Sequence, residues 1–165
     1  MKTLGKAVMR LGILAIAAGL APALAQEDGE AVPRFMSLSA SEANLRTGPG
    51  LGYPILWVLQ RPGLPVEVLR RFQGWAQIRE PGGATGWVDG KFLSATRTVM
   101  VSDAVRTLFA APSATAPARW RAEPGVIARA RACKDAWCQL DIDGKTGWVL
   151  RIHVWGTYPG ENFAD

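Results

Sequence analysis

A near-copy inside the chain limits its fold more than any other feature. "GWAQIREPGGATGWV" (Gly74 to Val88) and "AWCQLDIDGKTGWV" (Ala136 to Val149) follow one template: Trp-x-Gln-[Ile/Leu], a short polar turn, then Thr-Gly-Trp-Val. Trp137 stands 62 positions after Trp75 and Trp148 stands 61 after Trp87, so the first copy carries one extra turn residue. Upstream, "LRTGPG" (Leu45 to Gly50) aligns with "LFAAPS" (Leu108 to Ser113), and "RPGLPVEVLRRF" aligns with "EPGVIARARAC". Self-similarity at a fixed spacing marks repeated structural units. Two tandem units of about 50–60 residues follow, a size at which a partner unit relieves the poor surface-to-volume ratio of one standing alone. Their boundary falls within "SATRTVMVSD", Ser94 to Asp103.

Each unit reads as β throughout. "WAQIRE" puts Trp75 and Gln77 on one face of a strand and Ala76 and Ile78 on the other, and "PVEVLRRF" alternates at Val66 and Val68. Gln73-Gly74, Pro81-Gly82-Gly83, Asp89-Gly90 and Asp143-Gly144 divide the strands with residues that supply positive φ or fix φ. No stretch after Ala25 sustains a helical period. The fold expected is all-β, two small barrels in tandem.

The N-terminus is a separate matter. Lys2, Lys6 and Arg10 precede the apolar run "LGILAIAAGLAPALA", which ends in the small-x-small pattern Ala23-Leu24-Ala25. This is the layout of a Sec signal peptide, with cleavage expected after Ala25 and a periplasmic or secreted product. A retained anchor is the alternative, but the apolar core is short for a membrane span and no later segment offers one. Of the +5 formal charge, three basic residues leave with the signal; sixteen basic residues then face fourteen acidic ones, a net +2. That balance argues against nucleic acid as a partner, since the basic group Arg119, Arg121, Arg129 and Arg131 reads as solvent-facing. The expected organisation is signal peptide 1–25, flexible leader 26–34, barrels over 35–98 and 99–157, and a C-terminal tail over 158–165.

The ordered set "NLRTGPGLGYPILWVL", "GLPVEVL", "GW" and "TGWV" resembles the bacterial SH3-like domain, and both copies match from Phe35 to about Trp155. With "RTVMV", a Cys-flanked Trp and a terminal "WGTYPGE", the chain resembles the tandem exported SH3-like proteins of alphaproteobacteria. The resemblance implies a non-catalytic module of the cell envelope that contacts peptidoglycan, its peptide stems or an envelope protein. It also implies a ligand groove beside the loop after the first matched strand, lined by Arg46, Tyr53, Pro54, Trp57 and Trp75. Phe109 and Ala110 stand where Arg46 and Thr47 do, so a site built on that arginine is missing from the second copy. Trp57, Trp120 and Trp155 fall outside the repeated template.

Gly48-Pro49-Gly50 invites a phosphate-loop reading, but such a loop needs a helix N-terminus behind it. Here "LGYPILWVL" follows, β-favouring and interrupted by Pro54. Pro49-Gly50 suits the central positions of a type II turn instead. Catalytic groups are sparse. The one histidine, His153, alternates with Ile152 and Val154 on a strand-like stretch, and Asp143 reads as a turn residue. No nucleophile–base pair, carboxylate pair or metal set emerges, so neither enzyme activity nor a cofactor is expected.

Cys133 and Cys138 are the only cysteines. If "ARARAC" and "WCQLDI" are adjacent antiparallel strands, the two face each other across a hairpin mouth, close to disulfide distance. Export favours the bridge over free thiols.

Overall fold

The computed structural model describes residues 31–164; the signal peptide and its cleavage point lie outside the described residues. The repeat appears strand for strand. The first sheet holds β1 (Arg34–Leu38), β2 (Ala43–Arg46), β3 (Ile55–Leu59), β4 (Pro65–Phe72), β5 (Trp75–Arg79), β6 (Thr85–Asp89) and β7 (Leu93–Ser94). The second holds β8 (Thr98–Val101), β9 (Arg106–Phe109), β10 (Ala118–Ala122), β11 (Ile127–Lys134), β12 (Trp137–Ile142), β13 (Lys145–Leu150) and β14 (Val154–Trp155). Their orders, β3-β2-β6-β5-β4-β1-β7 and β10-β9-β13-β12-β11-β8-β14, are the same topology written twice. These are two tandem SH3-like barrels.

Local chemistry accounts for the strands. Ala76 and Ile78 of β5 are fully buried while Trp75 and Gln77 face outward, as the alternation requires. Gln73-Gly74 and Asp143-Gly144 adopt positive φ at both residues and close two-residue hairpins between Phe72 and Trp75 and between Ile142 and Lys145. Asp89-Gly90 is not a hairpin turn. It opens a 3-10 turn, Gly90–Phe92, capped by Asp89, whose carboxylate accepts from the Lys91 amide.

The glycine of Thr-Gly-Trp-Val is a packing requirement. A Cβ on Gly86 would lie 2.7 Å from Leu45 Cγ and 2.9 Å from the Arg46 carbonyl oxygen. One on Gly147 would lie 2.7 Å from Leu108 Cβ. In each barrel the second template strand, β6 or β13, presses directly on a fully buried leucine of the core.

Two cores result, one around Leu38, Leu45, Val66, Val68 and Ile78, the other around Val99, Val101, Leu108, Leu140 and Val149. Between them, Phe35 packs against Trp155 and Tyr158 with ring centroids 5.0 and 4.7 Å away. The Tyr158 hydroxyl donates to the buried Glu67 carboxylate at 2.8 Å, and Arg79 pairs with the other carboxylate oxygen. Burial first, then this bond to a carboxylate, pushes the Tyr158 phenol well above its ordinary range. Thr98 and Arg61 add bonds to the carbonyls of Gly63 and Gly125 at 2.7 Å each.

Residues 158–164, set apart by sequence as a tail, carry one more strand. β15 (Phe163–Ala164) pairs with β11, and Glu161 bridges to Arg97. Arg151 donates to the Tyr158 carbonyl, which ties this segment to the second barrel.

Candidate functional site

The outer face of the first sheet carries a row of side chains that no short stretch of sequence brings together. Arg46 of β2 stands opposite Trp87 of β6, Trp87 opposite Gln77 of β5, and Gln77 opposite Arg70 of β4. Directly opposed residues of antiparallel strands project from the same face. The Arg70 guanidinium lies 5.0 Å from the centroid of the Trp87 ring, and its Nε donates to Gln77 Oε1 at 2.7 Å. A cation over an indole face is attracted by the ring quadrupole, and the anchored Nε leaves the terminal amino groups as donors for a carboxylate.

Beside this row lies the loop 47–54. The Thr47 amide donates to the Pro54 carbonyl at 3.0 Å, and Arg46 Nη1 donates to the carbonyls of Leu51 and Tyr53 at 3.0 and 2.8 Å. The arginine therefore spans its own loop. The expected type II turn does not form: Gly50 is not at positive φ, and its amide donates to the Gly48 carbonyl across Pro49. Gly48 is glycine because a Cβ there would fall 2.3 Å from the Tyr53 ring, which lies over it.

Loop and row enclose a groove of about 460 Å³ lined by Pro49, Tyr53, Arg70, Phe72 and Trp87 among others. Trp87 is only 6% exposed and forms part of its floor. Of the five residues expected from sequence, Tyr53 enters this groove, while Arg46 and Pro54 hold the loop that carries it. Trp75 stands opposite Phe72 across the hairpin. Trp57 is separate: 64% exposed, it lines another cavity, of about 380 Å³, with Val58, Leu59, Glu80 and Ala84. Sequence reasoning missed Arg70, Phe72 and the role of Trp87. The available signal was the Gln77 of the template, whose outward position calls for a neighbour on β4.

The second barrel repeats the frame with other chemistry. Its row reads Phe109, Trp148, Gln139 and Ala132, so both arginines are gone. Phe109 packs edge-on against Trp137 at 5.9 Å. Trp120 takes the place of Trp57, each opposite a buried leucine, Leu108 or Leu45. The two tryptophans are thus a matched pair, although the sequence reading placed both outside the repeat. Lys145 lies over Trp120 at 5.3 Å, where the first barrel has Ala84 and open space. Arg131 pairs with Asp141 and holds that carboxyl below its usual range. Cys133 and Cys138 are directly opposed, Cα atoms 4.1 Å apart, and form the expected disulfide.

The bacterial SH3 domain model matches residues 39–94 and again 103–156. The chain belongs to the bacterial SH3 domain family. A domain of this family is a binding-type unit, typically extracellular or periplasmic, and the disulfide fits such a setting. No curated protein matches the chain. Among solved structures it is similar to NlpC2 and NlpC1 from Trichomonas vaginalis, at 14% and 15% identity and TM-score 0.36 for both. These alignments cover 76% and 84% of this chain and 49% and 51% of theirs. An NlpC/P60 family protein from Bacillus cereus aligns at 13% identity and TM-score 0.34, over 73% of this chain and 55% of that one. The chain thus spans about half the length of these structures. Among the described residues no helix is long and apolar enough to cross a membrane, and no three His, Cys, Asp or Glu gather as a metal set.

Proposed function

We propose that this protein is a non-catalytic binding module of the cell envelope whose first barrel recognises peptidoglycan through its peptide stems. The observation that carries this reading is the asymmetry of the two outward rows. Only the first barrel combines a groove of about 460 Å³ with Tyr53, Phe72 and Trp87 and with the Arg70 guanidinium anchored beside them. Volume and lining suit a short extended peptide: aromatic faces cover its apolar side chains and the arginine meets its carboxylates. The second barrel acts as a structural partner, its matching row neutral and its hairpin bridged.

The test is co-sedimentation with purified peptidoglycan sacculi. Tyr53→Ala or Arg70→Ala is expected to weaken binding about tenfold, near 1.4 kcal/mol, with the thermal midpoint little changed. Trp120→Ala should leave it unaltered. Chemical-shift mapping with soluble muropeptides should perturb Tyr53, Phe72 and Trp87. Shifts confined to the second barrel would refute the assignment. Absence of sacculus binding, with retention of an envelope protein by the same groove, would replace the wall by a protein partner.

A further inference from the structure

The strand β3 occupies the edge of the first sheet and, among the described residues, pairs on one side only, with β2. Its sequence is Ile-Leu-Trp-Val-Leu, without a charge, and apolar side chains stand exposed on both of its faces. Ile55, Leu56 and Val58 are 45–48% exposed, Trp57 is 64%, and Leu51 on the preceding loop is 78%. A long apolar edge strand is an open template for strand addition unless charge, proline or cover protects it.

The same molecule shows what protection looks like. β10 holds the equivalent edge, follows the equivalent loop and pairs with β9 in the same register. There the sequence is Ala-Arg-Trp-Arg-Ala, so Arg119 and Arg121 stand where Leu56 and Val58 do. Two β10 strands laid antiparallel would bring arginines against arginines. Two β3 strands would bring only apolar side chains together.

We infer that β3 is the interface of a two-fold dimer, in which the β3 strands of two copies pair antiparallel and join their sheets. The choice of a second copy follows from self-complementarity: the occupant must offer an unpaired edge and apolar side chains on both faces, and β3 itself does. The exposed fractions of these five residues, backbone included, come to nearly three whole residues, on the order of 500 Å² per copy at about 200 Å² each. Over both copies this approaches the lower range of specific interfaces, about 1,200 Å² in total, and fits a weak, concentration-dependent dimer. The inference stands apart from the groove, although Ile55 continues the Arg46–Trp87 row onto β3. A dimer would therefore set two grooves on one continuous sheet.

The experiment is sedimentation equilibrium on the chain purified after export, over a range of concentrations. The expected result is a reversible monomer–dimer equilibrium. Leu56→Arg and Val58→Arg, which copy the β10 pattern, should weaken it more than tenfold. Because a charged strand could loosen the first barrel, single-cysteine variants at each position from Ile55 to Leu59 provide a second readout. The native cysteines are bridged, so self-cross-linking should peak at one position and fall on either side. A chain that stays monomeric, a dimer that survives both arginine variants, or cross-linking without a peak would each overturn the proposal. So would protection of the β3 amides from hydrogen exchange at every concentration, which would mean that another segment of the same chain covers the strand.

Discussion

Residues 47–54 and 110–117 trace the same loop. Thr47 donates to Pro54 and Ala110 to Pro117; Gly50 donates to Gly48 and Ser113 to Ala111; Tyr53 donates to Gly50 and Ala116 to Ser113. The backbone is thus repeated bond for bond, while the side chains that hold it are exchanged. In the first barrel Arg46 bridges the loop carbonyls and Tyr53 covers Gly48. In the second, Ser113 and Thr115 satisfy each other, with hydroxyls 2.9 Å apart, and Ala116 replaces the tyrosine. The duplicated frame needs only the backbone bonds and the buried leucine beneath, so the outer side chains are free to diverge. One barrel has a cationic aromatic groove, and the other has a disulfide, a charged edge strand and a lysine over its exposed tryptophan.

The strongest challenge to the idea of one frame repeated is at its tightest contact. Gly86→Ala and Gly147→Ala each force a methyl group against a core leucine, and each should cost about 1–3 kcal/mol in urea unfolding. If one variant were neutral, the two cores would not be built alike.

The disulfide sharpens the difference between barrels. The first barrel has Arg71 and Ala76 at the corresponding pair. Closing so short a loop contributes about 2 kcal/mol in the chain-entropy model, so Cys133→Ser should lower the thermal midpoint by several degrees. Non-reducing peptide mapping of the wild type should find Cys133 and Cys138 linked.

The smallest effect expected is in the pH dependence. Burial, and after it the nearby Arg106, lower the pKa of His153 in the second barrel below the ordinary 6.5. The unfolded chain then binds the proton more readily than the folded one. Stability is therefore retained above pH 6.5 and declines as pH falls below it through the folded value. His153→Gln should flatten this part of a stability–pH curve, with first-barrel probes unmoved.

Much of the fold was legible because its causes are local. Alternation in "WAQIRE" buried Ala76 and Ile78, Gln73-Gly74 and Asp143-Gly144 closed their hairpins, and a five-residue separation placed Cys133 against Cys138. The Gly-Pro-Gly turn was misread because the reason for Gly48 is the ring of Tyr53, a contact that turn propensities do not encode.

By itself, then, the sequence determined two repeated all-β units, their hairpin turns and the pairing of Cys133 with Cys138, since each follows from short-range periodicity, turn chemistry and repetition. Only the tertiary structure decided which side chains meet across strands. A bulge between Val68 and Arg70 resets the alternation of β4, so Arg70 and Phe72 turn outward although the buried Val66 and Val68 lead toward them. One extra residue reverses every side chain beyond it, and that shift brings positions 46, 70, 77 and 87 into one row. The exposure of β3 was settled in the same way. Whether an apolar strand lies inside a sheet or at its edge depends on which neighbours pair with it, and those neighbours are distant in the chain.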